Sequence, residues 1–258
     1  MKKYFIGLLL ILASCFAVFS ISYAKPGVNL PSIPSANLNN PSSERLSWIS
    51  RAALDFYFDL NIWRKADAGY VAIFAKDGNV IHATAKGMAD IDNSIAMSTE
   101  TRFRIASMTK PITVIATLIL IEEGKLSLND PIEKFIPLAK KIRVAVPGEQ
   151  ISEGNIVTEA LESPITVFDL LTFSSGAGYS DSVDNKGQST LSNLWAESDI
   201  YKGSGSLEDR VNKIMGLPFF EQPGKIWRYG WSTDILARVI EVASDKSFGE
   251  FLNEKIFL

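Results

Sequence analysis

Apolar residues recur at helical spacing near the start of the chain and then in short segments typical of strands. The apolar positions between residues 44 and 64 follow the helical repeat and predict a first helix. Residues 69–75 and 80–85 are rich in apolar side chains and flank the pair Asp77-Gly78, which favours a tight turn. These two segments therefore predict a β-hairpin.

Residues 101–105 predict one further short strand, and the strongest helix signal in the chain follows it. Nearly every position from 114 to 121 is apolar, except Thr117, and Gly124 ends the segment. A helix that is apolar on almost every face is expected to be buried. The other predicted elements are a short helix over 131–137, an irregular excursion over 139–163, a helix over 166–173, a turn over 174–178, a long surface loop over 178–206, and helices over 206–215, 232–243 and 247–257.

The composition is that of a globular protein, since 47% of the 258 residues are hydrophobic and 21% are charged. It excludes collagen-like, coiled-coil and wholly disordered chains. Beyond the first 24 residues, no stretch is long and apolar enough to span a bilayer. We therefore expect no integral membrane span once those residues are removed.

Residues 1–24 have the pattern of an export signal. Lys2 and Lys3 precede a long apolar run, and the small residues at positions 22 and 24 suit cleavage after Ala24. We predict that this segment is a signal peptide and that the protein is exported, either to the periplasm or to the medium.

Cys15, the only cysteine, lies inside that signal, so cleavage after Ala24 would leave neither a thiol nor a disulfide. Residues 12–15 also fit a lipoprotein signal, which would make Cys15 a lipidated N-terminus. Because the apolar run continues beyond Cys15, simple cleavage is favoured. Residues 25–43, rich in Pro, Ser and Asn, predict a tether to a domain over 44–258.

His82 is the only histidine, which excludes several hydrolase mechanisms. A catalytic zinc ion needs two or three histidines, or cysteines in their place, so we expect no metal and no cofactor. A Ser-His-Asp triad would have to use His82, which lies in a predicted strand, and the chain has no Gly-x-Ser-x-Gly motif. Removal of Lys2 and Lys3 leaves 24 basic and 29 acidic residues, a formal net charge of −5. A mildly acidic chain without runs of Lys or Arg is expected to have no nucleic-acid partner.

Ser107 and Lys110 form a candidate catalytic pair in the motif Ser-x-x-Lys, at the start of the predicted buried helix. Residues three apart share a helix face, with Cβ atoms about 5–6 Å apart, so the amine can reach the hydroxyl. We expect desolvation to lower the pKa of Lys110, so that the neutral amine acts as a base, and the helix N-terminus to stabilise an oxyanion. The motif alone is weak evidence, because Ser22 and Lys25 have the same spacing. Its alternative interpretation is a helix-capping serine beside a solvated lysine.

Two longer stretches give this motif its context: residues 103–132 around Ser-Met-Thr-Lys, and residues 165–176, which end in Phe-Ser-Ser-Gly. Together they closely resemble the serine β-lactamase-related family, which holds class C β-lactamases, D,D-peptidases and family VIII carboxylesterases. The resemblance runs from about Leu46 to Leu258. It implies the α+β fold of β-lactamases and transpeptidases, in which a helical lobe lies beside an antiparallel sheet with the serine at their junction.

The resemblance implies three catalytic residues: Ser107 as the acylated nucleophile, Lys110 as its base partner, and Tyr229 at the start of the family's Tyr-x-Asn triplet, as a proton relay. Two positions depart from the family pattern. Phe173 stands where a histidine is usual, and Trp231 stands where the asparagine is usual. Loss of that amide fits the esterase-like members better than efficient β-lactamases.

The family's last motif, Lys-Thr-Gly or a His-x-Gly variant on a strand beside the serine, has no counterpart after Tyr229. We therefore expect a fold without its C-terminal sheet strands, in a chain truncated from a longer one. The implied function is an exported serine acyl hydrolase acting on a small ester, a β-lactam or a D-Ala peptide such as a peptidoglycan stem peptide. The alternatives are a non-catalytic binding module of the same fold and an inactive fragment.

Overall fold

A computed structural model of the protein describes residues 46–77, 79–146, 156–179, 190–200 and 205–257. The described chain divides into two compact units, one ending at Phe103 and the other beginning at Arg104. The predicted signal over 1–24 and the tether over 25–43 lie outside the described residues, so both remain predictions.

The N-terminal unit holds one helix and a three-stranded antiparallel sheet. Helix α1 (Trp48–Trp63) begins after Ser47, whose hydroxyl accepts a backbone hydrogen bond from the first turn. Strands β1 (Gly69–Lys76), β2 (Asn79–Asp90) and β3 (Ile95–Ala96) lie in the sheet in chain order. The helix contacts both long strands.

The predicted hairpin is confirmed, and His82 lies on β2 directly opposite Phe74, with the two rings 5.9 Å apart. The strand predicted over 101–105 is wrong, because the backbone turns at Ile105 instead of staying extended. The Ile105 carbonyl accepts a hydrogen bond from the Met108 amide at 2.9 Å, in the turn that leads into the next helix.

The C-terminal unit is mainly helical, and four of its described helices pack against a central one. The helices are α2 (Thr109–Glu122), α3 (Val167–Leu171), α4 (Thr190–Glu197), α5 (Leu207–Met215), α6 (Ser232–Ser244) and α7 (Phe248–Leu252). Strands β4 (Arg143–Ala145) and β5 (Thr158–Ala160) pair, 3₁₀ turns cover Ala106–Met108, Ile132–Lys134 and Pro137–Lys141, and a π turn covers Asn253–Phe257. Helix α6 contacts α2, α3, α5 and α7, and its inward residues Ile235, Leu236, Val239 and Ile240 are fully buried.

Helix α4 lies within residues 178–206, which the sequence predicts as a surface loop, so that prediction is wrong. Its Trp195 is 1% exposed and donates its indole N–H to the Pro218 carbonyl at 2.8 Å. The stretch is mostly polar, but burial of the large Trp195 side chain supplies the apolar contact area that stabilises the helix. The predicted excursion over 139–163 also contains the β4–β5 pair, and the helix predicted over 247–257 passes from α into π geometry.

The helix predicted over 114–121 is present as α2, but one of its faces is exposed. Ile115 and Leu118 each remain 49% exposed, so the expectation of burial on every face is wrong. The polar exception, Thr117, is fully buried because its hydroxyl donates to the Thr113 carbonyl at 2.9 Å. Within the described residues, no helix combines the length and the apolarity that crossing a bilayer requires.

Two extended segments lie side by side and bring distant parts of the C-terminal unit together. The Arg228 amide donates to the Phe173 carbonyl at 2.7 Å, and Gly178 forms an antiparallel bridge with Gly230. A Cβ at Gly230 would lie 2.1 Å from the Ala177 carbonyl oxygen, so only glycine permits this approach. The pairing fixes the backbone on both sides of residue 229.

Candidate active site

Ser107 lies at the centre of the 3₁₀ turn that leads into α2, and it is exposed. The residue before it, Ala106, has a φ of +45°, a left-handed conformation that costs a residue with a Cβ about 1–3 kcal/mol. One helical turn further on, the Nζ atom of Lys110 lies 3.5 Å from the Ser107 Oγ. The predicted pair is therefore brought together, with the lysine partly buried and the serine open to solvent.

Tyr229, the third predicted residue, lies at the same point although it is 122 positions away from Ser107 in the chain. Its hydroxyl oxygen is 2.7 Å from the Ser107 Oγ. The Lys110 Nζ lies over the Tyr229 ring, 4.8 Å from its centroid. The hydroxyl that would react is thus in hydrogen-bond contact with a phenol whose ring faces a cation.

Tyr179 is a fourth residue of the cluster formed by Ser107, Lys110 and Tyr229, and it was not predicted from the sequence. The Lys110 Nζ donates to its hydroxyl at 3.3 Å, and its ring packs edge-on against Tyr229 with centroids 5.6 Å apart. The only sequence signal was its place directly after Gly178, at the end of the predicted turn. Nothing in the spacing of the chain shows that this turn lies beside the start of α2.

The charges of the cluster differ from the expectation of a neutral lysine. Burial lowers the pKa of the Lys110 ammonium, but the phenol oxygens of Tyr229 and Tyr179 outweigh it and leave the pKa above its ordinary value. The hydrogen bond with Ser107 lowers the pKa of Tyr229; partial burial opposes this, and Lys110 adds to the lowering. The pKa of Tyr179 is raised, chiefly by burial. The surroundings thus shift the Tyr229 phenol towards ionisation and favour the charged form of Lys110.

Both departures from the family pattern lie against Tyr229 or its neighbour. The Phe173 ring stacks on Tyr229 at 5.3 Å with an interplanar angle of 19°. Trp231 is 4% exposed and packs edge-on against Tyr179 at 5.1 Å. Aromatic rings thus occupy positions where the family pattern has an imidazole and an amide. Phe173 packs directly on Tyr229, whereas Trp231 packs on Tyr179, whose ring in turn contacts Tyr229.

Comparisons with known proteins agree with this architecture. The fold, with a Ser-x-x-Lys pair at the start of a helix, is of the β-lactamase/transpeptidase-like α+β class. The Beta-lactamase family model matches residues 61–258, and the chain therefore belongs to the beta-lactamase family.

Among the relatives, Esterase EstB of Burkholderia gladioli is 30% identical over 206 residues, which are 80% of this chain and 48% of the esterase. The solved structure of "EstCE1, a hydrolase with promiscuous acyltransferase activity" superimposes with a TM-score of 0.63 at 24% identity, over 79% of this chain and 49% of that one. A penicillin-binding protein homologue from Pyrococcus abyssi gives a TM-score of 0.58 at 25% identity, over 82% and 42% of the two chains. The chain thus spans about half the length of the relatives that it matches.

Proposed function

We propose that this chain carries the acylating centre of an exported serine acyl hydrolase. The observation that supports this most strongly is the contact of 2.7 Å between the Tyr229 hydroxyl and the Ser107 Oγ, with Lys110 in reach of both residues. An activated serine needs a base within hydrogen-bond distance, and this contact supplies one without histidine.

The proposed reaction has two steps. The Tyr229 phenolate takes the Ser107 proton as the Oγ attacks the substrate carbonyl carbon, and the developing negative charge faces the N-terminus of α2. The same proton then passes from Tyr229 to the leaving oxygen or nitrogen, which departs and leaves an acyl-serine. Water then attacks the acyl carbon while the Tyr229 phenolate takes its proton. The bond between that carbon and the Ser107 Oγ breaks, the acid leaves, and Tyr229 returns the proton to the Oγ. Lys110 keeps its proton throughout and stabilises the phenolate.

A small carboxylic ester is the proposed substrate, ahead of a β-lactam or a peptidoglycan stem peptide. The buried Trp231 ring offers no amide to bind the acylamino group that penicillins and peptides carry. The similarity to Esterase EstB points in the same direction.

The test is a side-by-side assay on a chromogenic short-chain ester and a chromogenic cephalosporin, with Ser107→Ala as the control. Ester turnover that exceeds cephalosporin turnover and is lost in Ser107→Ala is the expected result. Faster cephalosporin turnover would reverse the order of substrates. Equal ester turnover by the variant would contradict the proposal, and binding of peptidoglycan without turnover would favour the binding module.

Export is also part of the proposal, and it rests on residues 1–24. Mass spectrometry of the protein from a producing bacterium should find Lys25 at the N-terminus, as simple cleavage after Ala24 requires. A diacylglycerol-modified Cys15 would support the lipoprotein alternative instead, and an N-terminus at residue 1 would contradict export.

A further inference from the structure

A cavity of about 300 Å³ lies inside the C-terminal unit, next to the start of α2. Its wall includes Lys110 and Thr113 of α2, Asp234 of α6, and the apolar side chains of Leu207 and Phe248. Lys110 and Asp234 are the charged groups among the described residues that line it. The proposed reaction does not yet use Asp234, although it shares this cavity with the lysine.

Asp234 is a partly buried carboxylate in the first turn of α6, where the positive end of the helix dipole favours a negative charge. Burial raises the pKa of its carboxyl, while the positive charges of Lys110 and Arg210 oppose that rise. The groups that face it electrostatically are these two cations and the phenols of Tyr179 and Tyr229.

We infer that Asp234 is a positioning residue, whose negative charge across the cavity keeps Lys110 protonated and sets the pH at which Lys110 and Tyr229 together lose their protons. This rests on the proposed function, in which a cationic Lys110 stabilises the Tyr229 phenolate. No salt bridge within 4.0 Å joins Asp234 and Lys110 among the described ion pairs, so the carboxylate acts through the field across the cavity.

The negative charge of Asp234 determines the direction in which it shifts the pKa values of the groups that face it. A negative charge stabilises the protonated form of every group that faces it, so its removal makes proton loss easier at Lys110, Tyr179 and Tyr229 alike. Asp234→Asn keeps the shape of the side chain and removes the charge. We therefore expect the pH dependence of serine acylation to move as a whole to lower pH in Asp234→Asn, a change that a loss of packing alone would not cause.

The experiment measures the rate of labelling by a fluorophosphonate against pH, in the wild-type chain and in Asp234→Asn. In parallel, ¹³Cζ-tyrosine NMR follows the ionisation of Tyr229, assigned by Tyr229→Phe. The matched control is Asp245→Asn, which removes an exposed carboxylate at the other end of α6 while keeping a residue that tolerates the left-handed cap. We expect the Tyr229 pKa and the pH profile of labelling to move to lower pH in Asp234→Asn and to stay unchanged in Asp245→Asn.

An unchanged Tyr229 pKa, or a pH profile that changes in height but not in position, would overturn the inference. If Asp234→Asn does not fold, the reciprocal variant Lys110→Met tests the same coupling, because it should raise the pKa of Asp234 followed by ¹³Cγ-aspartate NMR. No rise there would also overturn it. If the phenol pKa moves but neither chain is labelled, the charge coupling stands and the acyl-hydrolase proposal fails.

Discussion

Ser107 and Tyr229 are the residues through which the proposed function would activate a serine without histidine. Their oxygen atoms are 2.7 Å apart, and Lys110 lies close enough to both to stabilise a phenolate. The hydrogen bond with Ser107 is the main cause of the lowered pKa of the Tyr229 phenol, with Lys110 adding to it, while the phenols of Tyr229 and Tyr179 raise the pKa of the Lys110 ammonium.

Tyr229→Phe removes the proposed base and keeps the ring. We expect fluorophosphonate labelling of Ser107 to slow by about 10²–10⁴-fold, the usual contribution of general-base catalysis. Labelling rates from intact-mass time courses measure this, with the exposed Tyr57→Phe as the matched control. A Tyr229→Phe chain that is labelled at the wild-type rate would exclude the phenol as the base.

The pH dependence of labelling should separate the two assignments of the base. If Tyr229 takes the proton, the rate rises as the phenol ionises below its ordinary pKa of 10.0 and falls as Lys110 loses its proton above 10.5. If a neutral lysine were the base, the rate would rise through the lysine pKa with no fall. Rates over pH 6 to 11.5, in a chain shown by circular dichroism to stay folded, decide between them.

The residues of the site could be predicted only where a motif carried them. Ser107 and Lys110 were expected from the Ser-x-x-Lys spacing and the family resemblance, Tyr229 from the resemblance alone, and the structure brings all three together. Tyr179 and Asp234 belong to no quoted motif, and their places depend on tertiary contacts. The sequence indicates burial, which lowers the pKa of Lys110, but not the two phenols that raise it, because they are distant in sequence.

At the scale of elements, the bridge between Gly178 and Gly230 sets the position of the tyrosine. Gly230→Ala would place a Cβ 2.1 Å from the Ala177 carbonyl oxygen, so the two segments must separate. We expect this substitution to slow Ser107 labelling at least as strongly as Tyr229→Phe. Gly249→Ala on α7, where an added Cβ meets nothing within 4 Å, is the matched control and should leave labelling unchanged. Equal labelling of both variants would show that the bridge does not position Tyr229.

The end of α2 is joined to the C-terminal π turn by Glu123, whose carboxylate accepts a hydrogen bond from Lys255 at 2.7 Å. This contact and Lys125 lower the pKa of Glu123 from 4.5 to about 2. The stabilisation is therefore complete above pH 4.5 and is lost as the pH falls towards 2.

Glu123→Gln tests that contact. Urea unfolding should show the variant less stable than wild type at pH 7, with a difference that shrinks as the pH approaches 2. Glu133→Gln, which breaks a longer contact of 3.9 Å with Lys140, should show a smaller difference. A difference between Glu123→Gln and wild type that is the same at every pH would contradict the pKa assignment.

Elements could be predicted where the local pattern was strong, as in the hairpin and in α2. Helix α4 was missed because its stretch is mostly polar, and its stability depends on burial of Trp195 against a carbonyl distant in sequence. The strand over 101–105 was expected from residue type alone. Ile105 instead begins the turn that carries Ser107, and its carbonyl accepts a hydrogen bond from the Met108 amide within that turn, so strand propensity does not decide the conformation of this segment.

At the scale of the whole molecule, family membership is shown for residues 61–258, while the chain spans about half the length of its relatives. The signal over 1–24, the tether and the domain over 44–258 remain predictions.

The central claim is that this chain by itself assembles a reactive serine. Intact-mass spectrometry after incubation with a fluorophosphonate tests it most directly, with Ser107→Ala treated in parallel and peptide mapping of the adduct. One adduct per chain, mapped to Ser107 and absent from Ser107→Ala, is the predicted result. No adduct on a chain that unfolds cooperatively, or an adduct that persists in Ser107→Ala, would contradict the claim.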